Sequence, residues 1–79
     1  MPINQLVQDL QDSGQLPLGC RYAALGVLEA INSVDTKPTA DGLDRFIAAC
    51  VEQHSGFRTL ADDKKPSVVA ALKMAALKL

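Results

Sequence analysis

The chain has 79 residues, with eight Lys and Arg against nine Asp and Glu and a net charge of -1. That length fits one domain and not two. Apolar residues at 48% and charged residues at 22% exclude the profile of a disordered chain, and the near balance of charge excludes a strongly basic nucleic-acid binder.

The first expected helix is about 3–13. Ile3, Leu6, Val7 and Leu10 recur at i, i+3, i+4 and i+7, so they share a face, while Gln5, Gln8, Asp9 and Asp12 fill the other. Gly14 follows where a left-handed cap, free of Cβ strain, would end the helix. The segment Gln15-Leu16-Pro17-Leu18-Gly19 reads as a loop.

The second helix is expected over about 18–34. Cys20, Ala24, Val27, Ile31 and Val34 form a stripe that Leu25 and Leu28 widen. A helix apolar over most of its circumference is usually central. Gly26 in its middle costs about 1 kcal/mol against Ala, which points to close approach of a neighbouring helix.

Asp35-Thr36-Lys37-Pro38 breaks the pattern. Thr39 is then an N-cap and Asp41 a first-turn acid of a third helix, about 39–55. Leu43, Phe46, Ile47, Cys50 and His54 share one face, and Asp41, Asp44, Arg45 and Glu52 the other. Ser55-Gly56 ends it, with Phe57 placed to fold back as a hydrophobic cap contact. A short helical turn near 58–63 has Thr59 and Asp62 at capping-box spacing.

The fourth helix, about 65–79, opens near Pro66, a favoured first-turn residue. At about 100° per residue, Val68, Leu72, Ala75 and Leu79 line one side, and Ala70, Met74 and Leu77 nearly the opposite side, flanked by Lys73 and Lys78. One stripe suffices to pack on the other helices. The second stripe has no evident partner within the chain, which makes Ala70, Lys73, Met74, Leu77 and Lys78 the candidate partner-binding residues. The expected fold is therefore an all-α, compact bundle of four short helices in a single domain, residues 1–79.

Chemistry is sparse. Cys50 and His54 are four apart on one helix face, the spacing of a thiol beside an imidazole or half a metal site. His54 is the sole histidine, Cys20 the sole other thiol, and no C-x2-C pair exists, so both side chains are expected to pack, with no metal and no cofactor. The acid pairs Asp41/Asp44 and Asp62/Asp63 sit where acids cap helices, and no phosphate-cradling loop or nucleophile elbow is present. An enzyme is not expected.

The segment Asp41-Gly42-Leu43-Asp44 resembles the Asp-Ser-Leu-Asp motif of acyl carrier proteins. That family carries phosphopantetheine on the serine, and Gly42 stands in its place, so the resemblance implies no prosthetic group here. Residues 20–34 also read as helix where carriers have a long loop, and the likeness ends with those four residues.

Charge is unevenly placed. Residues 1–36 carry Asp9, Asp12, Glu29 and Asp35 against Arg21, whereas residues 57–79 carry Arg58, Lys64, Lys65, Lys73 and Lys78 against Asp62 and Asp63. An acidic front and a basic tail are expected to attract each other or to suit partners of opposite sign.

No apolar run reaches the roughly 18 residues that span a bilayer. No charged start followed by an apolar stretch marks a secretory leader, and no lipidation motif appears. The expectation is a cytoplasmic protein whose two cysteines stay free thiols. Its expected function is a small protein–protein interaction module: an adaptor, a chaperone-like subunit or an inhibitor of a larger complex. It would act by helix-face docking or homodimerisation, and a phage or mobile-element origin is compatible with it. The alternative is a small helix-turn-helix-type DNA-binding regulator built on the second and third helices. Nucleic acid is the less favoured partner, because the reading helix would offer Asp41 and Asp44 beside a single Arg45 to a polyanion.

Overall fold

The computed structural model describes residues 2–34, 36 and 38–79. Four α-helices account for the architecture: α1 (Ile3–Asp12), α2 (Arg21–Asn32), α3 (Ala40–Gln53) and α4 (Lys65–Ala76). Single 3₁₀ turns cover Leu18–Cys20, Ser55–Phe57 and Asp62–Lys64, and no strand occurs among the described residues. The all-α four-helix reading of the sequence holds. The Asp35-Thr36-Lys37-Pro38 break includes Asp35 and Lys37, which lie outside the described residues.

Helix α1 ends as its sequence predicts. Gly14 has φ +78, the left-handed cap that a Cβ would strain. The Gly14 N–H donates to the Gln11 carbonyl at 3.1 Å and the Gln15 N–H to the Leu10 carbonyl at 3.0 Å, the paired bonds of a Schellman motif. Leu16, two residues on, is buried. The guanidinium of Arg21 donates to the side-chain oxygens of Gln8 and Gln11, tying the start of α2 to the polar side of α1.

Helix α3 starts on its expected cap: the Gly42 N–H donates to Thr39 Oγ1 at 3.1 Å, with Asp41 in the first turn. That bond satisfies one of the four N–H groups a helix start leaves open.

The sequence makes α2 the central helix, and the packing makes α4 the hub. Helix α4 packs on α1, α2 and α3, with α3 its most extensive partner, while α2 packs on α1, α4 and the turns at Leu18–Cys20 and Ser55–Phe57. Alanines at 71, 75 and 76 on the inner side of α4 let neighbours approach, and all three are buried. The core is entirely apolar among the described residues. Phe57, Leu28, Ile47, Leu72, Val7, Val51, Val68 and Cys20 are its most enclosed side chains. Phe57 reaches it from the α3–α4 connection, as the chain reversal there requires.

Several details correct the sequence reading. Val34 is exposed and lies beyond the end of α2. The core-facing residues of α3 are Leu43, Ile47 and Val51, so the true stripe is rotated away from Phe46, which is 40% exposed, and from His54, which is exposed. Gly26 faces open space, with nothing within 4 Å of a built Cβ. The close approach occurs instead at Gly56, where a Cβ would lie 2.5 Å from the Cβ of Ala23 on α2. Gly56 lacks positive φ, so it ends no helix by a left-handed cap; it lets the turn after α3 touch α2. Ala61, not Thr59, precedes the Asp62–Lys64 turn, which has no side-chain cap.

Candidate functional site

The outward side of α4 carries the exposed apolar residues that the sequence singles out. Met74 is 60% exposed and Leu77 56%, and Ala70 is exposed one turn before Met74. The other side of the helix is spent on the core through Val68, Ala71, Leu72, Ala75 and Ala76. A 3.6-residue period places 70, 74 and 77 together, away from 68, 72 and 75.

Two grooves flank this stripe. One, of about 810 Å³, runs between α3 and α4 over Ala48, Val51, Val69, Ala70 and Met74. Ion pairs bridge its walls: Lys73 Nζ lies 2.8 Å from Asp44 Oδ2, and Lys65 Nζ lies 3.5 Å from Glu52 Oε1 and 3.1 Å from Asp62 Oδ1. The hydrogen bond to Asp62 holds the Lys65 ammonium above its ordinary pKa. The second groove, about 370 Å³, lies between α1 and α4 and is bordered by Leu6, Asp9, Leu10, Met74, Ala75 and Lys78. Met74 borders both, so its side chain is a ridge between two hollows.

The two lysines of the candidate site therefore differ. Lys73 is half-buried and engaged by Asp44 across the α3–α4 groove. Lys78 is exposed and makes no ion pair among the described residues. The acidic front and the basic tail are joined by no direct ion pair among the described residues; Lys65 and Lys73 pair with acids of α3, and Lys65 also with Asp62. Asp9 and Asp12 accept instead from Gln5 and Gln8 one turn earlier on α1.

Cys50 and His54 border one shallow hollow of about 360 Å³ with Phe46, Ala49 and Gln53. His54 turns toward the connection that follows α3: its Nδ1 accepts the Gly56 N–H at 2.9 Å, and its ring meets Phe57 edge-on at 5.9 Å between centroids. Burial pushes the thiols of both Cys50 and Cys20 above their ordinary pKa, which lowers their thiolate fraction at neutral pH. Among the described residues no three His, Cys, Asp or Glu side chains gather as a metal would require.

A fourth hollow, about 660 Å³, lies between residues 14–20 and 59–68, with Lys64 and Ser67 among its lining residues. No local pattern announces it, because it forms between two connections whose Leu16 and Leu60 are buried. No helix of the described residues is long and apolar enough to cross a membrane. Comparison with known proteins matches no family model, no curated protein and no solved structure.

Proposed function

We propose that this chain is a small, non-catalytic, cytoplasmic protein–protein interaction module that docks through the outward face of α4. The observation that carries the reading is the exposure of Met74 and Leu77, 60% and 56%, on a helix whose other face already completes the core. Docking in this manner seats apolar anchors in a partner and leaves cations at the rim. Here Ala70, Met74 and Leu77 are the anchors, and Lys73 and Lys78 the rim. A methionine anchor tolerates some irregularity in the surface it meets, because its unbranched thioether repacks easily. An adaptor, a chaperone-like subunit or an inhibitor of a larger complex would each use such a face, and self-association is its simplest use.

The test is the double variant Met74→Asp, Leu77→Asp. Both positions are exposed, so its thermal midpoint should stay near that of the wild type. Wild-type protein should retain a protein partner or a second copy that the variant loses. Equal recovery of the same proteins, at the same mass in solution, overturns the reading.

A further inference from the structure

We infer that the hollow between residues 14–20 and 59–68 is a binding site for a small amphiphilic carboxylate, its apolar body inside and its charged head on Lys64. The inference goes beyond the docking reading and uses none of the residues of that face. The volume of about 660 Å³ falls within the range of about 300–1,000 Å³ that small-molecule sites occupy. Cys20, Leu60 and Val68, all buried, supply the inner lining, and the exposed Pro17 and Ala61 add apolar surface. Such a lining offers water few partners and suits an apolar body.

Charge selects the head. Of the four hollows described above, this one has a cation and no carboxylate among its lining residues. The others hold Asp44, Glu52 and Asp62, or Asp9, or neither lysine nor acid. Lys64 is exposed and makes no ion pair among the described residues, whereas the neighbouring Asp62 pairs with Lys65 and borders the α3–α4 groove. Ser67 follows Lys64 at i+3, which makes the two neighbours at the helix start. The hydroxyls of Ser67 and Thr59 enter no hydrogen bond among the described residues. An unpaired ammonium and two unpaired hydroxyls thus border one apolar hollow, and a carboxylate accepts from all three. Helix α4 begins beside them with no side-chain cap, and the positive end of its dipole favours the same charge. A single lysine matches a single negative charge.

Hexanoate titrated into the isotope-labelled full chain tests this by NMR, with hexanol as the body alone and acetate as the head alone. Hexanoate should shift the amide signals of Thr59, Lys64, Ser67 and Val68 saturably, with half-saturation at about 1–20 mM for so small a ligand. Hexanol and acetate should each bind at least about fivefold more weakly. Lys64→Glu should weaken hexanoate about fivefold, because attraction becomes repulsion, and should leave hexanol unchanged. Lys78→Glu, beside the α1–α4 groove, should change neither. Ala61→Trp, at an exposed position, should fill the hollow and abolish the shifts, and circular dichroism confirms that each variant keeps the fold. Absence of saturable shifts at those four residues up to about 50 mM hexanoate, shifts centred on another hollow, equal binding of hexanol, or unaltered binding by Lys64→Glu overturns the inference. The variant Met74→Asp, Leu77→Asp should bind hexanoate as the wild type does, so failure of this site and failure of the docking reading are told apart.

Discussion

The two faces of α4 are nearly alike in composition and opposite in fate. Val68, Ala71, Leu72, Ala75 and Ala76 are buried against three other helices, while Ala70, Met74 and Leu77, within about the same three turns, stay exposed. Helix α1 shows the ordinary alternative: Leu6, Val7 and Leu10 are buried, and Gln5, Asp9 and Asp12 hold the outer side. Helix α1 needs a core and nothing else, whereas α4 is apolar on a side the fold does not use. Apolar character on a helix therefore does not by itself fix burial; the packing of the other helices decides which apolar face is enclosed.

The sharpest way to break the comparison is to truncate one residue on each face. Leu72→Ala should cost about 2–5 kcal/mol, as removal of an enclosed core leucine does, whereas Met74→Ala should stay within about 0.5 kcal/mol of the wild type. Urea denaturation reads both. A Met74→Ala cost equal to that of Leu72→Ala would mean that the outer stripe is part of the fold after all.

A second pair contrasts two glycines. Gly56→Ala should destabilise by about 1–3 kcal/mol, because its new methyl would press on the Ala23 Cβ and force the turn away from α2. Gly26→Ala has free space and a helical backbone, so it should stabilise by about 0.5–1 kcal/mol through helix propensity. Thermal melts of the two variants should move in opposite directions; a Gly26→Ala loss would place an unseen neighbour against the outer side of α2.

The smallest expected effect is alkaline. Cys20 and Cys50 have folded pKa values raised by burial, so the folded chain holds those protons more tightly than the unfolded one. Their contribution is complete below the ordinary thiol value of 9.0 and is lost as pH rises through the raised folded values. The Lys65 contribution, which depends on Asp62 and then Glu52, is lost at higher pH still. Denaturation midpoints should thus be level from neutrality to about pH 8 and decline beyond it. Replacing both cysteines by alanine should flatten the first part of that decline, and an unchanged slope would contradict the assignment.

Much of this was readable from residue order because it is local. Thr39 and Asp41 announce the start of α3, Gly14 the end of α1, and Pro66 the first turn of α4, each through backbone chemistry within a few residues. The exposed stripe on α4 was readable too, since periodicity separates 70, 74 and 77 from 68, 72 and 75. What failed was tertiary. Periodicity gave α3 a wide apolar arc from Leu43 to His54, but the position of α4 selects Leu43, Ile47 and Val51 and leaves Phe46 partly in solvent. Residue order points to Gly26 for the close approach, and only the path of the chain after α3 assigns it to Gly56. Leu16 and Leu60 lie in connections with no periodic pattern, so their burial had no local signal. The partners of Lys65 and Lys73 had no local signal either, since net charge by segment does not say which helices lie side by side.

The central proposal is that the outward face of α4 is a contact surface, with self-association its simplest use. The chain has two methionines, Met1 and Met74, so methyl-labelled methionine gives an NMR spectrum with one resonance on the stripe. That resonance should shift and broaden as pure protein is concentrated from the micromolar to the millimolar range, and the change should vanish in Leu77→Asp. A Met74 methyl signal that stays in place over the whole range would contradict the account.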